Sequence, residues 1–565
     1  LTLAALAACG STAQKGDTSK GSSQGKAVPP TDTRAEFKLF AFGRVLGTIA
    51  PCGCTTEPLG GVQYAFGYME KDSEAGARAV LEPGSFLFPD PAGPDWPSDD
   101  AAWKQAEDRA ALLSSRFGKL GDATLVSGLG PTDVASPQGA DALMKYPLPR
   151  VVANVTLPVK SKVKPHRILE LQDNGVTWKV GVTSVVDPTV LGADKLGDVA
   201  PAAAALTKQV AAMKKDGAQF TIAFAQGKRP FAESLAREVE GLDMVLVGIV
   251  DGVDRERLGT PPAAIDGTYV IEPGTQLQTI TELRLSVDAS KGVPELAKWK
   301  VAPPKSAMQE ELARVQERID KFKAEPDADP KFIQRLQNER DKLKTILDAG
   351  PPKGDAVAVI DQVKVTCKLP ADDEAKAALG EYTKAVAKAN EARFADVEAP
   401  PAPEGTASYV GTETCSDCHD EAQQFWETTV HAGAYQTLVD TNQQFDLECV
   451  SCHVTGFRKP GGSEVVKNEG LRDVQCEVCH GAGSLHSEDG GEDLKLIKLE
   501  APADLCAKQC HTAEHSDTFE YEAYLRDILG PGHGEAKRKL LGDGPTGHEL
   551  RQAGLKKAGG ACKKM

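Results

Sequence analysis

The chain has 565 residues, 41% of them apolar and 26% charged, which suits two to four domains with large cores and excludes a protein disordered throughout. Its formal net charge of -16 argues against nucleic acid as a partner. No long run of lysine or arginine supports charge-driven membrane binding.

The first residues, LTLAALAAC, look like the end of a bacterial lipoprotein signal, with Leu6, Ala7, Ala8 and Cys9 as the lipobox. Residues 1–8 are too few to span a bilayer, so the expectation is lipidation at Cys9, with a plain disordered terminus as the alternative. Gly10 after the cysteine, in place of Asp, resembles the pattern that sorts such proteins to the outer membrane. Residues 10–33 are rich in Gly, Ser, Thr and Lys and cannot bury enough apolar surface to fold, which makes them a flexible tether.

Residues 34–303 alternate short β-branched runs (FKLFAF, RVVANV, TWKVGVTSVV, FTIAFAQ, DMVLVGIV) with helical segments such as AAAALTKQVAAMKKDG and FAESLAREVEG. That alternation predicts a layered α/β sandwich. Over residues 304–350, Met308, Leu312, Val315, Ile319 and Phe322 recur at spacings of four and three. EPDADP breaks the pattern, and Ile333, Leu336, Leu343 and Leu347 resume it, with Arg340 interrupting. The expectation is an antiparallel coiled-coil hairpin whose charged runs face solvent. A strand, AVAVIDQVKVTCKL, and a helix from about Asp372 to Ala395 complete the first domain over 351–397. EAPPAPEG at 398–405 is a stiff linker to a mostly helical and irregular domain at 406–565.

Eight of the 13 cysteines lie between Cys415 and Cys510, and nine of the 10 histidines lie beyond residue 405. Three strict C-x-x-C-H sites occur: Cys415/Cys418/His419, Cys449/Cys452/His453 and Cys476/Cys479/His480. The pattern reads as c-type haem attachment, because two thiols add to the haem vinyl groups and the adjoining histidine is held under the iron. Zinc is the alternative use of C-x-x-C pairs, but zinc does not require a histidine directly after every second cysteine. A near-match, Cys506-Ala507-Lys508-Gln509-Cys510-His511, has one residue too many. It reads as a fourth attachment site whose extra residue bulges a non-helical loop, with a Cys506–Cys510 disulfide as the alternative. Of the six methionines only Met565 lies in this region, so histidine–methionine ligation is not expected. His431, His486, His515, His533 and His548 remain as candidates for the second axial position.

The segments YVGTETCSDCH, WETTVHAGAYQTL, QFDLECVSCHVTGF, VQCEVCHGAGSLH, CAKQCHTAEHSDTFEY and GPGHG resemble, in order and spacing, the tetrahaem cytochromes c of the ammonia-oxidation electron-carrier type. The resemblance covers about 130 residues. It implies four closely packed haems c, with His419, His453, His480 and His511 as proximal ligands. Most of the haems would be bis-histidine and one could be five-coordinate, and the protein would pass electrons between redox partner proteins. By position, His431, His486 and His533 are the better distal candidates, ahead of His515 and His548.

The α/β region, with PCGCTTEPLGG at 51–61, resembles the metallophosphoesterase domain of 5'-nucleotidases. The metal ligands do not carry over. Arg44 and Leu46 stand at the Asp-x-His positions, Ser85 replaces a bridging aspartate, and Val155 follows Asn154 in place of histidine. Gln226 replaces another histidine, and Gly248-Ile249-Val250-Asp251 replaces Gly-His-x-His. A dinuclear centre needs several oxygen and imidazole donors, so no phosphoesterase activity and no catalytic residue is expected. Cys52, Cys54, Cys367 and Cys562 remain, with disulfides as the default and a metal or redox role for Cys52-Gly53-Cys54 as the alternative.

These readings combine into an exported, periplasm-facing lipoprotein carrying electrons through about four haems. The alternative is a multihaem oxidoreductase acting on a small nitrogen or sulfur compound at a five-coordinate haem.

Overall fold

The computed structural model describes residues 34–558 apart from 52–53, 72–76, 94–95, 160–161, 250–262, 303–304, 325–328, 351 and 513–514. Cys9, the tether, Cys52, Val250, Asp251 and Cys562 lie outside the described residues.

Two six-stranded sheets form the first region. In one, the strand order runs 300–302, 356–364, 279–288, 34–41, 77–82, 125–127; in the other, 263–265, 268–271, 244–247, 220–226, 176–186, 166–173. Side chains alternate faces along a strand, and the chain exploits this on Arg34–Ala41. Phe37, Leu39 and Ala41 point between the sheets to meet Trp178, Val180, Phe220, Ile222 and Leu246 from the other sheet. Phe40 points outward, with Phe42 just beyond the strand, against helices Val62–Lys71 and Asp100–Gly118 through Phe66 and Phe117. The outer face of the second sheet is covered by Ala202–Lys215 and Arg229–Glu238 through Leu206, Val210 and Leu235. At the centre Trp178 packs 5.6 Å from both Phe37 and Phe220, and Trp299 stacks on Phe220 at 5.1 Å.

One expected strand is corrected. RVVANV contributes bridges at Arg150 and Val151 and a two-residue strand Val155–Thr156. Asn154 is the physical reason: its side chain donates to Val186 O (2.7 Å) and Ala200 O (2.9 Å) and accepts from Val186 N (2.8 Å), taking up partners that a ladder would use.

Helices Lys305–Ala324 and Pro330–Ala349 form a hairpin with a small core of Val315, Ile319 and Leu336. Strand Ala356–Lys364 returns to the first sheet beside 279–288, and helix Asp373–Phe394 packs over Val62–Lys71 and Asp100–Gly118. Beyond residue 405 the described residues form short helices and turns with no strand. Their main apolar cluster, Tyr435, Val450, Val454 and Val465, is shared with Ala101 and Phe394 of the α/β region. No described helix is long and apolar enough to cross a membrane.

Candidate haem-binding site

The first two strict motifs lie at helical turns. Cys415, Cys418 and His419 sit on Thr412–Trp426, which breaks its helical geometry at His419 (φ -119, ψ 42). Cys449 precedes the 3-10 turn Val450–Cys452, with His453 after it. The third motif is itself the helix Cys476–His480, ended by Gly481 at φ 84. In each the three side chains lie three and four residues apart, which brings them to one face.

The longer motif corrects the expectation of a non-helical loop. Cys506 lies within the helix Ala503–Gln509, and its carbonyl accepts from Cys510 N at 3.3 Å and from His511 N at 2.8 Å. The second bond reaches back five residues, as in a π-turn, so the extra residue is absorbed by widening the last helical turn. Both Cys506 and Cys510 are free thiols.

The fold brings histidines into three facing pairs. Ring centroids are 6.5 Å apart for His419 and His486, 6.3 Å for His431 and His511, and 5.9 Å for His480 and His533. Two imidazoles sharing one metal, each nitrogen about 2 Å from it, would have centroids about 6 Å apart. Each pair joins one histidine from an attachment motif to one of the unassigned histidines. His515 and His548 enter no such pair among the described residues; His515 Nδ1 lies 2.8 Å from Thr512 Oγ1, and His548 is exposed. Among the described residues no second histidine ring lies against His453.

The ring hydrogen bonds fit the same chemistry. His453 Nδ1–H donates to Ala434 O (2.6 Å), His480 to Lys498 O (2.5 Å) and His533 to Ile528 O (2.7 Å). Such bonds fix the tautomer and leave the Nε2 lone pair for a metal. The buried Nδ1 of His486 has no hydrogen-bond partner in the structure. Burial lowers the pKa of His431 and His480, and burial followed by the nearby His431 brings His511 down to about 4. In each case the shift favours the neutral ring, which is the ligating form. The residues present fit haem c.

Thiols of different motifs adjoin. Cys415 meets Cys476, whose pKa falls to about 6 through that hydrogen bond, and Cys510 meets Cys452, which falls to about 7 in the same way. Burial, then the charge of Cys506, raises Cys479 to about 11. The first motif is therefore beside the third, the third beside the fourth, and the fourth beside the second.

Where the resemblance to metallophosphoesterases would put metal ligands, Ser85 Oγ donates to Gln226 Oε1 at 3.0 Å, Gln226 Nε2 donates to Pro83 O at 2.7 Å, and Arg44 is paired with Asp90. Leu46 N donates to Ser85 O at 3.1 Å, and both residues adopt left-handed backbone, φ 57 and φ 56. No group of three or more His, Cys, Asp or Glu able to hold a metal occurs among the described residues. Cys367 is disulfide-bonded while Cys54 is free, so the default reading of disulfides does not extend to Cys54.

Residues 414–481 match the family model described as cytochrome c554 and c-prime. That match supports a haem-binding region of the cytochrome c type, with haem c covalently bound. Cytochrome c-554 of Nitrosomonas europaea is 34% identical over 93 residues, 14% of this chain and 40% of that protein. The chain thus spans less than half the length of that cytochrome. Among solved structures, the 5'-nucleotidase precursor from Thermus thermophilus is 13% identical with a TM-score of 0.39, covering 72% of this chain and 68% of that one. The NAD nucleotidase of Haemophilus influenzae is also 13% identical at a TM-score of 0.39, covering 78% and 73%. A calcineurin-like phosphoesterase from Bacillus subtilis is 18% identical at a TM-score of 0.33, covering 45% and 86%.

Sequence reasoning missed the side chains that join the cytochrome region to the α/β region. Gln105, Arg109 and Asn390 reach residues 445–448, Thr56 bonds Asp517 and Arg551 donates to Cys54 O. No local pattern marks them, because each contact joins residues far apart in the chain.

Proposed function

We propose that the chain is an exported lipoprotein, anchored through Cys9 to a periplasm-facing membrane, that transfers electrons between redox proteins through four haems c. The observation that carries the reading is the set of three facing histidine pairs, each with one member in an attachment motif. Cys415/Cys418, Cys449/Cys452, Cys476/Cys479 and Cys506/Cys510 would hold the haems. His419 with His486, His480 with His533 and His511 with His431 would supply both axial ligands to three of them, and His453 one ligand to the fourth. When bound, haem c supplies a one-electron iron couple. Two imidazoles favour a low potential, and the adjoining thiols support an order of first, third, fourth and second site along the path. The absence of metal donors at Ser85, Val155 and Gln226 supports a scaffold or docking role for the α/β region.

Intact mass of protein made with a cytochrome maturation system should show four added haems. No covalent haem ends this reading; three haems would remove only the Cys506/Cys510 site. His533→Ala should convert one low-spin haem to high spin, whereas His515→Ala should leave the spectrum unchanged.

The lone His453 favours a second reading, an oxidoreductase acting on a small nitrogen or sulfur compound at that site. Turnover of hydroxylamine, nitric oxide or a sulfur oxyanion would support it; a high-spin haem that binds nitric oxide without turnover leaves the carrier.

A further inference from the structure

The four residues before Cys449 are held from the α/β region, one after another. Asn390 Nδ2 donates to Phe445 O at 2.8 Å, Gln105 Nε2 donates to Asp446 Oδ1 at 2.6 Å, Leu447 N donates to Gln105 Oε1 at 3.4 Å, and Arg109 is ion-paired with Glu448. Asn390 also donates to Gln105 Oε1 at 3.3 Å, which ties the two amides together. Gln105, Arg109 and Asn390 are only 4%, 6% and 6% exposed. Val450, immediately after Cys449, is fully buried in the cluster with Ala101 and Phe394. Apolar packing alone would hold two regions together; buried directional bonds cost desolvation and fix a register in return. Arg109 keeps its charge despite burial because Glu448, Tyr382 and Asp446 surround it.

This register leads directly to His453, the attachment histidine without a facing histidine among the described residues. A bis-histidine haem is held from both faces by its own region. A haem at His453 would be oriented by that one ring and by the loop that carries its two cysteines, so whatever fixes that loop would fix the haem.

We propose that Gln105, Arg109 and Asn390 are positioning residues that set the orientation of the haem at Cys449, Cys452 and His453 and thereby make the α/β region part of that site. The inference rests on reading this motif as a haem site with one histidine ligand. It gives the α/β region a function: it is the mould for one haem.

The test uses the full-length holoprotein, with haem located on tryptic peptides by mass spectrometry and each haem followed by EPR and optical redox titration. In Arg109→Gln and Asn390→Ala the high-spin signal should split into more than one species and its potential should move, while the three low-spin signals stay where they are. Arg109→Lys, which keeps a cation for Glu448, should restore a single species. Loss of haem from the Cys449/Cys452 peptide alone in either variant would support the proposal. Trp178→Phe, which disturbs the α/β core away from the loop, should lower the unfolding temperature without altering the high-spin signal. Variants that are less stable but keep all four signals unchanged would overturn the proposal. A wild-type Cys449/Cys452 peptide without haem would instead overturn the reading of the motif.

Discussion

The α/β region and the cytochrome region solve the same problem of burial with different materials. The first packs Phe37, Trp178, Phe220 and Trp299 between two sheets and covers both outer faces with helices. The second, among its described residues, buries only Tyr435, Leu438, Val450, Val454, Val465, Ala523 and Leu525 of its apolar side chains, and several of these lean on Ala101 and Phe394 of the first. Such a sparse interior cannot offset the conformational entropy of about 150 ordered residues, at roughly 1–2 kcal/mol each. Cysteine and histidine occupy the space that leucine and phenylalanine occupy elsewhere. One region folds on its own side chains; the other would draw on covalently held haem and on the wall of its neighbour.

The largest expected effect breaks the comparison at its root. Protein made without haem attachment should be cut by trypsin throughout 406–558, with 34–405 surviving as a resistant fragment. A protected C-terminal region in that sample would mean that its own side chains suffice. Next, Trp178→Ala should destabilise the α/β region by about 3–5 kcal/mol, seen by calorimetry, with the haem spectrum unaltered. Trp178→Phe should cost less, because the buried indole N–H has no hydrogen-bond partner in the structure.

A pH effect sharpens the contrast further. Glu82 is fully buried, and burial followed by the charge of Asp133 pushes its carboxyl up to about 8. Its neutral form is the favoured one in the folded state. The stability it contributes is complete below its unfolded value of about 4.3 and is lost as pH rises through about 8. The unfolding temperature of the α/β region should therefore fall over that interval, and Glu82→Gln should flatten the slope; an unchanged slope would acquit Glu82.

The smallest expected effect lies at the joint between the regions. Asp99 caps the helix Asp100–Gly118, accepting from Ala101 N at 2.9 Å and Ala102 N at 2.8 Å, and its other oxygen pairs with Arg458 of the cytochrome region. Asp99→Ala should cost about 1 kcal/mol through the lost cap. Asp99→Asn should keep the cap and lose only the half-buried ion pair, about 1 kcal/mol or less, as urea midpoints would show.

Much of this was legible locally. Alternating residues in FKLFAF and FTIAFAQ mark strands whose two faces meet different layers, and C-x-x-C-H marks attachment because the thiols and the ring must arise within one turn. RVVANV misled because Asn154 diverts its neighbours' hydrogen bonds, a side-chain event that β-branching does not reveal. The motif at Cys506 misled in the opposite direction: a carbonyl that accepts from two amides lets a helix carry the extra residue.

The sequence by itself carries the three strict C-x-x-C-H motifs, the near-match at Cys506 and the residue types at Arg44, Leu46, Ser85, Val155 and Gln226, since each is written in neighbouring residues or in their types. Tertiary structure alone decided that His486, His533 and His431 face His419, His480 and His511, that His453 faces none among the described residues, and that Gln105, Arg109 and Asn390 hold the loop before it. Those outcomes depend on where distant segments come to rest after chain reversal, and spacing along a chain carries no distance once the chain has folded back on itself.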